Sequence, residues 1–142
     1  MKKQFKTVMA FGTFDRLHPG HEYFLRQSKK QGNCLIVVIA RDSTVKRIKG
    51  NLPHNKEKQR QNAVRSLNLA DKIVMGSMTD KFAAVKKYRP DIICLGYDQI
   101  NFVDLLISAI KKYKLNTKVI RLKPFKPHKY KSSILKKMSL PV

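Results

Sequence analysis

The chain has 142 residues and a strong excess of basic side chains, with 31 lysines and arginines against 9 aspartates and glutamates. This length fits one compact core, so we expect a single domain over residues 1–142. A hydrophobic content of 42% excludes a disordered chain. No apolar run approaches the roughly 20 residues that a membrane-spanning helix needs. The basic N-terminus precedes a strand-like run without a small-residue cleavage site, so we expect no signal peptide and a cytoplasmic protein.

The net charge of +22 has three possible explanations. It could form a groove for nucleic acid, attract polyanionic small substrates, or belong to a solvated lysine-rich surface. The lysines occur as scattered pairs, which are Lys2-Lys3, Lys29-Lys30, Lys86-Lys87, Lys111-Lys112 and Lys136-Lys137. Four of these pairs fall in predicted helices or at their ends. The scatter favours a solvated surface that also attracts small anions, and nucleic acid is the weaker candidate for a partner.

The two cysteines, Cys34 and Cys94, lie at the head of an apolar run and inside one. Such cysteines usually act as small buried hydrophobic residues. Two cysteines make no disulfide framework, and their spacing is not that of a zinc site.

Strand and helix patterns alternate along the whole chain, which is typical of parallel α/β proteins. Strands are predicted over residues 7–12, 34–40, 72–75, 91–95 and 117–122. Helices are predicted over residues 20–31, 42–49, 56–68, 80–89, 101–113 and from 132 onward. The predicted N-caps of four of these helices are Asp42 or Ser43, Asn55, Asp80, and Ser132 or Ser133. Residues 123–131 form a loop rich in proline and lysine.

These elements predict an α/β fold, a Rossmann-like doubly wound sheet of five parallel strands with helices on both faces. The continuous apolar run at residues 34–40 predicts a strand covered on both faces, and residues 117–122 predict an outer strand with one wetter face. Ligands of such sheets bind beyond the carboxyl ends of the strands. The polar segments 13–21, 41–49 and 96–99 each follow a strand, so we expect them to meet in one site.

The segment from Gly12 to His21 carries the clearest functional signal. It places a strand, a glycine turn, two histidines and a helix start in succession, and the free N–H groups of a helix start attract anions. Pro19 suits the first helical turn. His18 and His21 are three residues apart, so both can face one ligand. The spacing alone leaves phosphate binding and plain turn chemistry both open.

The segment resembles the signature of the nucleotidylyltransferase superfamily, in which a Gly-Thr-Phe-Asp turn precedes a His-x-Gly-His motif. Here that motif is His18-Pro19-Gly20-His21. Further matching segments are residues 40–50, 58–60, 75–77, 89–99 and 132–133. Together they resemble archaeal-type FAD synthetase (FMN adenylyltransferase) first, and glycerol-3-phosphate cytidylyltransferase second.

The resemblance implies transfer of a nucleoside monophosphate from a nucleoside triphosphate to a phosphorylated acceptor, with release of pyrophosphate. The first hypothesis is FAD synthesis from ATP and FMN, with Mg²⁺ entering bound to the triphosphate. The alternative is a CTP-dependent cytidylyltransferase that acts on glycerol-3-phosphate or a similar polyol or sugar phosphate. A hypothesis of another class is an inactive module that binds nucleotide or RNA. The resemblance also suggests a homodimer.

The resemblance also implies roles for individual residues. The implied catalytic residues are His18, His21, Lys49 and Arg60. The implied nucleotide- or phosphate-binding residues are Gly12, Thr13, Phe14, Lys46, Asp98, Ser132 and Ser133. No residue is predicted to bind a metal directly. Asp15 has either a capping role or a site role, and Lys46 and Lys49 could instead be mobile loop lysines.

Two further observations bear on the acceptor. Residues 126–133 lack the arginine and glycine that the cytidylyltransferases carry before their last helix, which counts against glycerol-3-phosphate. A flavin ring needs an apolar slot, and the candidates for it are Tyr97, Phe102 and Phe125.

Overall fold

The computed structural model describes residues 6–96 and 100–123, without the side chains of residues 100 and 101. Strands and helices alternate as the sequence predicts. The strands are β1 (Thr7–Gly12), β2 (Cys34–Ile39), β3 (Lys72–Met75), β4 (Ile92–Leu95) and β5 (Lys118–Arg121). The helices are α1 (Pro19–Lys29), α2 (Asp42–Lys49), α3 (Glu57–Ser66), α4 (Ala83–Tyr88) and α5 (Ile100–Lys112).

The five strands form one parallel sheet in the order β3-β2-β1-β4-β5. The predicted Rossmann-like fold is therefore confirmed. The chain runs outward from β1 through β2 to β3 and then returns to place β4 on the other side of β1. Ligands of doubly wound sheets bind where the strand order reverses in this way, which here is beyond the carboxyl ends of β1 and β4.

Hydrophobic side chains fill a layer on each face of the sheet, because successive strand residues point to opposite faces. In β2, Leu35, Val37 and Ile39 pack in one layer, where α1 and α3 contribute buried side chains. Ile36 and Val38 pack in the other layer with side chains of α4 and α5. The prediction that this strand is covered on both faces is confirmed.

The predicted outer strand is also confirmed, since β5 pairs only with β4 among the described strands. Its predicted wetter face is wrong. Val119 packs in one layer and Ile120 in the other, so each face of the strand contributes an apolar side chain to the core. Lys118 and Arg121 at the two ends of the strand are the exposed positions.

Three predicted N-caps are wrong, since in each case another residue lies at the helix boundary. Arg41, not Asp42 or Ser43, is the N-cap of α2, Lys56 replaces Asn55 at α3, and Phe82 replaces Asp80 at α4. The Asp80 carboxylate still accepts the backbone N–H of Phe82 at 3.0 Å, just ahead of the helix.

The predicted loop 123–131 beyond Lys123 and the predicted last helix lie outside the described residues. Among the residues that are described, no helix is long and apolar enough to cross a membrane.

Candidate active site

The two histidines of the motif lie at the start of α1, directly beyond the carboxyl end of β1. His18 is the N-cap, and its Nδ1 accepts the backbone N–H of Gly20 at 3.0 Å. A Cβ on Gly20 would lie 2.8 Å from the His18 ring, so glycine lets the imidazole fold over the helix start. Pro19 occupies the first turn, as predicted.

His21 lies one turn later and faces His18, with the two ring centroids 3.9 Å apart. Its Nδ1 accepts the backbone N–H of His18 at 3.3 Å. Since both Nδ1 atoms act as acceptors, the neutral form of each ring carries its hydrogen on Nε2. The backbone of the helix start therefore fixes both imidazoles as Nε2–H donors, and the two rings lie side by side.

The environment of the pair keeps both rings uncharged near neutral pH. Burial lowers the pKa of His18 below its ordinary value of 6.5. Burial also lowers the pKa of His21 to about 4, and the neighbouring His18 adds to that effect. His18 Nε2 is buried without a hydrogen-bond partner in the described part of the chain. A buried donor without an acceptor is costly, so this atom points to a ligand that supplies one.

The turn between β1 and α1 is held in an unusual backbone conformation. Phe14 has φ 56° and Arg16 has φ 52°, a region that residues other than glycine rarely adopt. The Phe14 ring is 3% exposed and meets the His21 ring edge-on at 5.7 Å. A Cβ on Gly12 would lie 2.7 Å from that ring. Gly12 is therefore needed to make room for Phe14, which in turn fixes the position of His21.

Arg60, which the resemblance implied as a catalytic residue, is fully buried. Its guanidinium donates to the carbonyl of Thr13 at 2.7 Å, to the carbonyl of Asn55 at 3.0 Å and to Asp42 at 2.8 Å. These groups belong to the turn after β1, the segment before α3 and the start of α2. Arg60 thus joins three segments around the histidines.

Acidic side chains complete this framework. The Asp15 carboxylate accepts the backbone N–H groups of His54 at 2.6 Å and Asn55 at 2.8 Å. Asp42 and Glu57 each accept the other's backbone N–H, at 3.2 and 2.9 Å. Asp15 therefore ties the segment before α3 to the turn after β1.

The two predicted lysines lie on α2, where both are exposed. The positive charge of Lys49 contributes to the lowered pKa of His21, which places its ammonium within electrostatic reach of the histidines. Lys46 lies one turn earlier on the same helix, so both can face the same side. Gly50 ends α2 with φ 86°.

Several predicted residues lie outside the described residues, namely Tyr97, Asp98, Phe125, Ser132 and Ser133. Phe102 is described, and it packs against Phe11 at 5.3 Å and Phe82 at 5.5 Å between ring centroids. Within the described segments, no three histidine, cysteine, aspartate or glutamate side chains cluster as metal ligands would.

The sequence interpretation missed Glu57, gave Asp42 only a capping role, and left the role of Asp15 open between a cap and the site. The available signal was the scarcity of acidic residues. The chain has only 9 of them, so each carboxylate near the predicted site was a candidate for a structural bond. Thr44 on α2 was also missed, and its hydroxyl is buried without a hydrogen-bond partner among the described residues.

Comparison with known proteins shows the family to which the chain belongs. Residues 9–138 match the model of the family described as cytidylyltransferase-like. A FAD synthase of Methanohalophilus mahii is 46% identical over 122 residues, 85% of this chain and 82% of the relative. A FAD synthase of Thermococcus sibiricus is 40% identical over 136 residues, 95% of this chain and 89% of the relative.

Among solved structures, a lipopolysaccharide core biosynthesis protein of Thermoplasma volcanium superposes with a TM-score of 0.80 and 39% identity, covering 87% of this chain and all of the other. The sequence resemblance is thus confirmed by independent matches over most of the chain. The chain belongs to the cytidylyltransferase-like family of nucleotidyltransferases.

Proposed function

We propose that this chain is an FMN adenylyltransferase that forms FAD and pyrophosphate from ATP and FMN. The observation that carries the proposal is the pair of backbone-oriented imidazole donors, His18 and His21, at the N-terminus of α1. A helix start of this kind attracts phosphate through its unpaired N–H groups and its dipole. The choice of ATP and FMN is supported by the name FAD synthase of both relatives described above.

The proposed reaction needs no protein nucleophile. An oxygen of the FMN phosphate attacks the α-phosphorus of ATP, and a new P–O–P bridge forms. The bond between the α-phosphorus and the oxygen bridging to the β-phosphate breaks, and pyrophosphate leaves with that bond's electron pair. Both reactants are anions, so catalysis depends on holding them in line and stabilising the charge that develops.

The histidines suit this task as neutral donors. Their Nε2–H groups would bind phosphate oxygens and strengthen those bonds as negative charge accumulates. Because the pKa of His21 lies near 4, it stays a donor without a net charge over the physiological range. Lys49 and Lys46 would supply the positive charge from α2. Backbone groups near Gly12, Thr13 and Phe14, and the side chains of Asp98, Ser132 and Ser133, remain proposed contacts of the nucleotide.

We assign Arg60 a positioning role in this reaction. Its guanidinium holds the turn that carries Phe14 and, through Asp42, the start of the helix that carries Lys49. Loss of that link would shift imidazoles and lysines relative to each other. A displacement of about 1 Å can cost a hundredfold in rate.

Three further features belong to the proposal. ATP would enter as its Mg²⁺ complex, with the ion held mainly by phosphate oxygens and water. The partly exposed rings of Phe82 and Phe102 offer an apolar surface for a flavin. A homodimer and a cytoplasmic location remain predictions from the sequence.

The test is a matrix of pyrophosphate-release assays with Mg²⁺, in which ATP or CTP is combined with FMN or glycerol-3-phosphate. We expect release with ATP and FMN alone. Release with CTP and glycerol-3-phosphate would replace the proposed substrates while keeping the chemistry. If none of the four substrate pairs released pyrophosphate while the chain still bound polyanions, the result would favour the inactive binding module instead.

A further inference from the structure

The fold gathers lysines that are scattered in the sequence. All strands are parallel, so they begin at one edge of the sheet, and the helices that connect them return there. α1, α4 and α5 accordingly carry basic residues in their last turns. We call this edge, opposite the candidate active site, the amino edge. Its exposed lysines include Lys6, Lys30, Lys72, Lys87, Lys112 and Lys118, one from each of six elements or their ends.

The strand register places these lysines across the whole width of the sheet. Lys72 begins the outer strand β3 and Lys118 begins the outer strand β5 on the other side. Lys6 directly precedes the middle strand β1 and is tied to Asn33 by its own N–H at 2.7 Å. Five strands at this spacing span about 20 Å. That width is comparable with the diameter of a nucleic-acid duplex.

Aromatic rings hold several of the ammonium groups in place. Lys72 Nζ and Lys87 Nζ lie 5.6 and 5.3 Å from the centroid of the Tyr88 ring. Lys112 Nζ lies 5.5 Å from the centroid of Tyr113. Cation–π contacts of this kind restrict long side chains, so less conformational freedom is lost when the lysines meet an anion.

Little negative charge offsets the lysines at this edge. The acidic residues that precede β3 and β4 are Asp71 and Asp91, and both are engaged. Asp71 accepts the backbone N–H of Leu35 at 2.8 Å and the ammonium of Lys29 at 2.9 Å. Asp91 accepts the backbone N–H of Thr7 at 2.8 Å. Among the described residues, none of the six lysines forms an ion pair with a carboxylate.

In the described part of the chain the exposed apolar side chains lie elsewhere, which distinguishes between two polyanionic partners, an anionic membrane and a nucleic acid. A lipid-binding surface combines basic residues with exposed apolar ones. Over residues 6–96 and 102–123, the large exposed hydrophobic residues are Ile48, Leu52, Met78, Leu105 and Ile107. They belong to α2 and the loop after it, the segment after β3, and the interior of α5. The described residues of the amino edge therefore offer positive charge without apolar anchors.

We propose that the amino edge binds the phosphate backbone of nucleic acid, without reading bases, as a function separate from nucleotidyl transfer. Clustered lysines neutralise phosphates and release counterions, which makes such binding strong at low salt and independent of sequence. From the sequence alone, nucleic acid was the weaker candidate for a partner because the lysine pairs are scattered along the chain. Their convergence depends on strand order and helix direction, which bring residues more than a hundred positions apart to one edge.

The test measures fluorescence anisotropy of labelled RNA and DNA duplexes of one sequence, titrated with the full chain over a range of salt concentrations. The variant K30Q/K87Q/K118Q removes three charges from the amino edge. The matched control K58Q/K81Q/K123Q removes three from exposed lysines at the opposite end of the sheet. Circular dichroism and thermal unfolding verify that both variants fold. Saturating ATP with Mg²⁺ in a parallel titration separates the amino edge from the candidate active site.

We expect the amino-edge variant to weaken duplex binding about tenfold or more at 0.1 M salt and to lower the logarithmic salt slope by roughly 2 to 3. The control should bind within about threefold of the wild type, and ATP should not compete. Tighter binding to one of the two duplexes would show whether RNA or DNA is the preferred partner, and either result supports the proposal. Absence of duplex binding, equal losses in both variants, or displacement by ATP would each overturn it. So would binding to vesicles of anionic phospholipid without binding to either duplex.

Discussion

Replacing Arg60 with methionine tests whether this residue organises the site or contacts substrate. Methionine fills similar space but donates no hydrogen bond. The change leaves the carbonyl of Thr13 and the carboxylate of Asp42 without their donor. Removing one partner of a buried ion pair costs about 3–5 kcal/mol, and a hydrogen bond to a charged group is worth about 1.5–3 kcal/mol.

The structure favours the lower end of the range of about 3–5 kcal/mol for a broken buried ion pair. Arg60 is fully buried, but Asp42 is 28% exposed and can recover part of its solvation. We therefore expect a loss of about 3 kcal/mol in the free energy of unfolding. For a domain of this size that lowers the melting temperature by about 10 °C. The rate of FAD formation should also fall, because the turn and α2 lose their link.

Thermal unfolding of R60M and R65M, followed by circular dichroism, provides the measurement. Arg65 is the matched control, since it lies on the same helix, is exposed, and its side chain bonds only to Asn62 among the described residues. We expect R65M to melt within about 2 °C of the wild type. If R60M also melted within that margin while activity disappeared, Arg60 would be a substrate contact and the positioning role would be wrong.

Further substitutions test the geometry around the histidines. G12A should destabilise the protein by about 2 kcal/mol in thermal unfolding, since its Cβ would press on Phe14, whereas the Cβ of G76A would meet nothing nearer than 3.5 Å. Equal melting of these two variants would contradict the close fit. H18A and H21A should each lower kcat about a hundredfold or more while ATP affinity changes little, and unchanged kcat would remove the histidines from the mechanism. Burial depresses the pKa of His21, so protonation favours the unfolded state, and stability should fall between about pH 6.5 and pH 4. H21Q should show a smaller fall in a pH series of melting temperatures, and an identical pH dependence would contradict the assignment.

The fold was predictable because its signals are local and repeated. Each buried strand is a short apolar run, and each helix shows apolar residues at three- and four-residue spacing. The helix starts were less predictable, since Asp42 and Asp80 have the side chains of N-caps but act at neighbouring positions. The carboxylate of Asp42 accepts a hydrogen bond from Arg60, which lies 18 residues away in the sequence. Distant partners of this kind leave no mark on local sequence.

The same distinction applies to the candidate site. His18 and His21 were singled out by the resemblance of the His-x-Gly-His motif, and their three-residue helical spacing indicated that both can face one ligand. The bonds from Arg60 to Thr13 and from Asp15 to His54 join positions 47 and 39 residues apart. Such contacts depend on how the segments pack in three dimensions. The positioning role of Arg60 could therefore not be read from the sequence, although the residue itself was singled out.

The most direct test of the central claim follows the α-phosphate itself. ATP radiolabelled at that phosphate is incubated with FMN, Mg²⁺ and either the wild-type chain or H21A, and flavin products are separated by chromatography. We predict that the wild type transfers label into FAD, and that H21A binds ATP but transfers label at least about a hundredfold more slowly. Label transfer by H21A at the wild-type rate, or label that never enters a flavin product in the wild type, would contradict the account.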